Sequence, residues 1–390
     1  MVRPFQFARV PKLIFKNGVI ADLPSIIKSF GTRIVLVTGK KSFIRSVYAE
    51  KMLYDFDNMG ISSELITVSG EPSPELIDES VGLLNKENFD LVVGIGGGSV
   101  LDAGKAISGM IYRSESITDF LEGVGTKEHP GTKIPFIAVP TTSGTGSEAT
   151  KNAVISKIGK SGFKKSLRHD NFVPDVALID PQLTLDCPKN ITAASGMDCF
   201  TQITEAYLSN NANPYTDALA LEGLKEISAS LLRTYTNGDD IGARSGMSFA
   251  ALTSGICIAN AGLGVVHGFA SSIGGMYDIP HGLVCGTLMA KANEINVREL
   301  RKLSGNQPSL RKYALLGELF LDERGKSDDY YIDGFIAHLN KLTSDLQLQG
   351  LKGYGVEAGD IEMICSVTEI KNNPVNLGLD ELSEIITSRL

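Results

Sequence analysis

What most restricts this chain's fold is a recurrence in its first half: short apolar runs that each close in a loop rich in glycine or hydroxyl side chains. Residues 33–38 end at Gly39, residues 62–68 run into GEPSP, residues 91–95 feed GGGS, and residues 134–139 feed PTTSGTGSE. Such runs, separated by helix-like segments, predict βαβ units and a largely parallel sheet. Open sheets of that kind take ligands beyond the carboxyl ends of their strands, which is where these loops lie. After Pro181 the texture changes to helical patterns over residues 193–208, 216–235 and 245–261. The expected fold is therefore an α/β domain over residues 1–185 and an all-α domain over residues 186–390.

A length of 390 residues favours two domains over one core. A net charge of −8 argues against a nucleic-acid or anionic-membrane surface and leaves a small molecule as the expected partner. The five cysteines form no CxxC pair and are odd in number, as expected of free thiols in a reducing compartment. The opening MVRPFQFARVPKLIF places prolines and charges where a signal peptide needs an apolar run, so a cytoplasmic location is expected. Residues 245–277 carry no Asp, Glu, Lys or Arg, a stretch long enough to span a bilayer. Its glycines, serines, Asn260 and His267 predict buried helix instead.

Glycines 96, 97 and 98 let backbone amides face a pyrophosphate with no side chain in the way, and the helix that follows favours an anion at its start. Ser99 is the expected N-cap, with Asp102 in a capping-box position. A triple glycine alone serves a plain strand-to-helix turn equally well. The second loop shifts the balance, because Thr141, Thr142, Ser143, Thr145 and Ser147 crowd hydroxyls around Gly144 and Gly146. Together they predict a Rossmann-like dinucleotide site with Gly97, Gly98, Ser99, Asp102, Thr141, Thr142 and Thr145 among its residues.

In the helical half, Asp198 and Gln202 are four residues apart and so share one helix face. His267 and His281 follow in a glycine-rich segment, VVHGFASSIGGMYDIPHG. Each residue alone reads more simply as structural: a carboxylate early in a helix, a core histidine, a turn histidine. One carboxylate and two imidazoles together suit a divalent metal. A metal beside a dinucleotide points to hydride transfer.

The segments GGGSVLDAGKAIS, VPTTSGTGSEAT, GMDCFTQITEAY and GLGVVHGFASSIGGMYDIPHG, in this order, resemble the iron-containing (group III) alcohol dehydrogenase family over nearly the whole chain. The resemblance implies the two-domain architecture shared with dehydroquinate synthase and a metal in the cleft, iron or zinc, held by Asp198, His267 and His281. It implies NADP or NAD as cofactor, a small alcohol or its aldehyde as substrate, and a homo-oligomer, with a dimer favoured. Three departures stand out. Gln202 occupies the place of a fourth ligand, usually histidine; a carboxamide is a poorer ligand, which leaves an open position and makes zinc more attractive. Ser271 replaces a histidine thought to relay a proton, and a hydroxyl is no buffer near neutral pH. Gly39, followed by Lys40 and Lys41, stands where NAD-preferring members carry an aspartate, which leans the expectation towards NADP, although two solvated lysines explain the pattern equally well. Lys164 matches a family lysine on the nicotinamide side.

Two rival readings carry different chemistry. A dehydroquinate-synthase-like lyase needs basic residues around a phosphorylated substrate, and no such clustering surrounds these histidines. A metal-independent reductase or non-catalytic cofactor binder draws support from Gln202 and Ser271.

Overall fold

The computed structural model describes residues 4–160, 162–305 and 307–390. Six strands, β1 (Lys12–Phe15), β2 (Arg33–Gly39), β3 (Ser62–Val68), β4 (Leu91–Gly96), β5 (Phe136–Pro140) and β8 (Val176–Ile179), form one sheet in the order β1-β8-β5-β4-β2-β3. Every pairing within it is parallel. The helices between them are α1 (Leu23–Lys28), α2 (Val47–Met59), α3 (Pro74–Leu84) and α4 (Gly98–Met110). Val35, Val37 and Val92 join a core on one face of the sheet, whereas Ile34, Leu36, Leu91, Val93 and Ile95 join the core on the other. That alternation, apolar on both sides, is why these strands read as unbroken apolar runs.

The chain steps outward from β2 to β3 and then returns to β4 on the other side of β2. The direction of winding thus reverses between β2 and β4, and the divergence of the following connections opens a crevice at their carboxyl ends. Gly39 ends β2 and Gly96 ends β4, so the two flank that crevice. A hairpin the sequence pattern did not announce, β6 (Asn152–Lys157) and β7 (Phe163–Arg168), lies outside the main sheet.

From Lys189 onward the described residues hold helices and short 3-10 turns: α5 (Lys189–Leu208), α6 (Pro214–Thr236), α7 (Ile241–Ala261), α8 (Val265–Met276), α9 (His281–Lys302), α10 (Pro308–Leu321), α11 (Asp328–Asp345), α12 (Ile361–Val367) and α13 (Leu379–Thr387). The uncharged stretch forms α7 and α8, which meet at 99°, and among the described residues no single helix is long and apolar enough to cross a membrane. Central α5 is buried on nearly all sides from Gly196 to Leu208, packed by α6, α7 and α9. His338 of α11 lies against Phe320, among the helical core's aromatics. The two halves touch where α7 reaches the hydroxyl-rich loop: Ser143 and Ser248 hydroxyls are 3.1 Å apart, and the Ser254 hydroxyl lies 3.4 Å from the Gly144 carbonyl oxygen.

Candidate active site

The crevice is built from backbone and small side chains. α4 begins directly after β4, with Gly97 as its N-cap and no side chain capping its amides. The hydroxyl-rich loop leaves β5 alongside, because Thr141 donates its amide to the Gly96 carbonyl at 3.0 Å. A Cβ on Gly98 would lie 2.7 Å from the Thr145 side chain, and one on Gly97 would lie 3.2 Å from the Thr142 hydroxyl. Glycine is therefore needed for the two loops to approach this closely, and Thr141, Thr142 and Thr145 stand around an uncapped helix start. Free amides and a favourable helix dipole at such a start suit a pyrophosphate.

The expected capping box is not formed. Ser99 lies inside the helix, and Asp102 turns inward to accept the Ser147 hydroxyl and, at 3.2 Å, the Val154 amide. Beside it, fully buried Lys105 donates to the Ser147 and Asn152 carbonyls at 2.9 and 2.7 Å and to the Thr150 hydroxyl at 3.0 Å. A buried ammonium and carboxylate persist only when paired and hydrogen-bonded, and here they tie α4 to the hydroxyl-rich loop and β6. Burial nevertheless takes Lys105 down to about 8 and neighbouring Glu148 up to about 7.

Asp198 on α5, His267 on α8 and His281 at the start of α9 meet in the helical half, together with Cys285 one turn further along α9; their ligand atoms all lie within 4.8 Å of one another. The Asp198 Oδ1 is 3.3 Å from His267 Nε2 and 3.6 Å from His281 Nε2. Gly282 permits this meeting, since a Cβ there would lie 2.2 Å from the Ala194 carbonyl oxygen of α5. Glu205, two turns beyond Asp198, accepts the Val266 amide at 2.7 Å and places its other oxygen 2.7 Å from His267 Nδ1. That contact directs Nε2 towards Asp198, the arrangement in which a carboxylate orients a metal-ligating imidazole.

The electrostatics suit a cation. Burial alone would raise the Asp198 carboxyl, but the hydrogen bond and charge of His267 hold it below its ordinary value. Burial, helped by Lys164, takes His281 down to about 3, so its imidazole is neutral. Burial also opposes charge on His267, yet the Glu205 carboxylate and the Asp198 contact raise that imidazole well above its ordinary value. A cation at His267 Nε2 is what this environment favours. Burial pushes the Cys285 thiol up to about 12.

The remaining expected residues fall as follows. The Gln202 amide oxygen accepts the Ser254 hydroxyl at 2.8 Å. The Ser271 hydroxyl donates to the His267 carbonyl at 2.9 Å, and the Lys371 ammonium is 3.5 Å from its oxygen. Lys371 holds a left-handed backbone, φ 56°, uncommon for a side chain of its size. Lys164 pairs with Glu71 at 3.0 Å on the side facing His281. Gly39 has room for a side chain, its nearest neighbours being 3.9 Å from a Cβ, and Lys40 and Lys41 beside it are exposed. Sequence reasoning missed Glu205, Cys285 and Lys105. Glu205 and Cys285 were detectable as helical neighbours of expected ligands, seven and four positions on; Lys105 carried no signal apart from its place in α4.

Residues 11–181 match the family described as iron-containing alcohol dehydrogenase, and residues 192–390 match the C-terminal domain of the same family. The chain is 36% identical over 266 residues to long-chain-alcohol dehydrogenase 1 of Geobacillus thermodenitrificans, a match spanning 68% of this chain and 67% of that protein. It is 30% identical to the NADPH-dependent butanol dehydrogenase of Clostridium saccharobutylicum, over 91% of each chain. Among solved structures, a 1,3-propanediol oxidoreductase superposes with a TM-score of 0.87 at 28% identity over the full length of both chains.

Proposed function

The chain belongs to the iron-containing alcohol dehydrogenase family, and from that premise we propose that Asp198, His267 and His281 hold its divalent metal while the loops after β4 and β5 hold its nicotinamide dinucleotide. The protein is an oxidoreductase that interconverts an alcohol and its carbonyl compound. The observation that carries the site assignment is the meeting of a carboxylate and two imidazoles from three helices within 4.8 Å. The metal supplies a Lewis acid for the substrate oxygen, and the nicotinamide supplies or accepts the hydride.

The chain's own side chains do the rest. Glu205 sets the His267 ring so that Nε2 points inward. Asp198 adds negative charge from a buried position on α5, where such charge acts over a lower dielectric than in water. Gly97, Gly98, Ser99, Thr141, Thr142 and Thr145 provide amides and hydroxyls for the pyrophosphate, and Asp102 acts from below by holding the second loop in place. Lys164, paired with Glu71, is assigned to the nicotinamide side of the site as the family resemblance implies. Ser271 accepts from Lys371 while donating to the His267 carbonyl, so the serine belongs to a chain of hydrogen bonds that contains a titratable amine. Gly39 offers no acid to repel a 2′-phosphate, and exposed Lys40 and Lys41 lie next to it, which favours NADP over NAD.

The test is elemental analysis of the purified protein, followed by aldehyde-dependent oxidation of NADPH and of NADH before and after chelation. About one zinc or iron per chain, with activity lost on chelation and restored by that metal, supports the assignment. Turnover that survives complete removal of metal sinks it.

A further inference from the structure

Resting on the reading of a metal-dependent alcohol dehydrogenase, we propose that Cys285 is a fourth protein ligand of the metal, making an Asp–His–His–Cys set suited to zinc. The Cys285 Sγ is 3.6 Å from His267 Nε2 and 3.8 Å from His281 Nε2. Zinc bonds of about 2.3 Å to sulfur and about 2.0 Å to nitrogen and oxygen, set tetrahedrally, separate sulfur from nitrogen by about 3.6 Å and nitrogen from oxygen by about 3.3 Å. The sulfur contacts, and the 3.3 and 3.6 Å separations of Asp198 Oδ1 from the two imidazoles, already have that spacing.

Helix geometry explains how the fourth donor changes place. Gln202 stands four residues after Asp198 on α5, and Cys285 stands four residues after His281 on α9, so each occupies the same face as an established candidate ligand. Gln202 is a neutral amide whose oxygen is engaged by Ser254. Cys285 belongs to an apolar core that includes Val284 and Leu288 of its own helix, yet its sulfur lies within reach of two imidazoles and a carboxylate. Cys199, Cys257 and Cys365 are equally buried, but none of them belongs to a group of this kind among the described residues.

Ligation replaces the S–H bond with an S–metal bond and releases one proton to solvent, with no change in oxidation state. A thiolate in place of an imidazole shifts selectivity towards zinc. As four protein donors, Asp198, His267, His281 and Cys285 would hold a zinc able to take the substrate oxygen as a fifth ligand, an expansion zinc accepts.

The experiment loads the chelated full-length protein with cobalt(II) as a spectroscopic substitute and measures zinc affinity by competition. The expected result is one cobalt per chain with a thiolate-to-cobalt charge-transfer band in the near ultraviolet. Cys285→Ser should lose that band and bind metal at least ~100-fold more weakly, since even outer partners of ligands cost about 10–100-fold. Cys285→Ala combined with Gln202→His should recover one metal per chain without the sulfur band. The wild-type spectrum is decisive even if a variant folds poorly: cobalt bound without a sulfur band overturns the proposal, as does failure of the wild type to bind cobalt or zinc. A metal-loaded, active enzyme lacking the band removes Cys285 and keeps the dehydrogenase reading. The band in a protein that oxidises no alcohol and reduces no aldehyde does the reverse.

Discussion

The crevice at the ends of β2, β4 and β5 and the cluster between α5, α8 and α9 are put together in opposite ways. The crevice uses backbone amides, glycines and hydroxyls from loops that leave adjacent strands, so its form follows from the sheet order. The cluster uses four side chains from three helices, with Asp198 and His267 separated by 69 positions in the chain. A backbone site is changed mainly by filling its space, whereas a side-chain site changes with single donors. Two of the three departures, Gln202 and Ser271, sit by the cluster; the third, Gly39, lies at the crevice's edge on β2 and leaves the glycines and threonines of the other two loops in place.

The sharpest way to separate the two regions is His267→Ala. It should remove the bound metal and lower kcat/KM by ~10³-fold or more, the loss of roughly 4 kcal/mol of Lewis-acid stabilisation. Titration of dinucleotide fluorescence should meanwhile show cofactor affinity unchanged. Comparable loss of both functions would mean that the regions are not independent.

Glu205→Gln tests whether the cluster depends on its outer contact. The amide cannot accept the His267 Nδ1 proton in the way a carboxylate does, so the ring loses its preferred orientation. Metal affinity should fall about 10–100-fold, as measured by competition with a chelating dye. An unchanged affinity would show that α8 alone fixes the ring.

Gly98→Val makes the converse cut. Its side chain meets Thr145, and overpacking of about 1–3 kcal/mol should weaken dinucleotide binding roughly 5- to 150-fold while metal content stays at the wild-type level. Calorimetric binding of the dinucleotide showing no change would place the pyrophosphate elsewhere.

The smallest effect is expected at the crevice's edge, where Gly39→Asp fits without crowding. An added carboxylate should repel a 2′-phosphate by about 1 kcal/mol and shift the ratio of kcat/KM for NADPH and NADH roughly fivefold towards NADH. A ratio that does not move would leave Lys40 and Lys41 as solvated surface charges.

The parallel sheet and the helical half were both legible from local patterns, since residues 33–38 and 62–68 became β2 and β3 nearly end for end. The loops were legible for the same reason, because glycine and hydroxyl clusters at strand ends are local features. Asp102 was misread because the capping-box rule is also local, whereas its partners Ser147 and Val154 arrive from 45 and 52 residues away. Cys285 lay unnoticed beside His281 because nothing in one turn of helix tells whether a buried thiol faces leucines or imidazoles.

By itself the amino-acid order determined the elements and their two-domain grouping, and it singled out a carboxylate and two imidazoles, Asp198, His267 and His281, as candidate ligands. Periodicity and turn chemistry are short-range, so they survive in one dimension. Only the tertiary structure decided that Glu205 orients His267, that Lys105 and Asp102 brace the second loop, and that Cys285 completes the group around Asp198. Those relations depend on how α5, α8 and α9 cross, and a crossing is set by the packing of whole helix faces rather than by any single stretch of sequence.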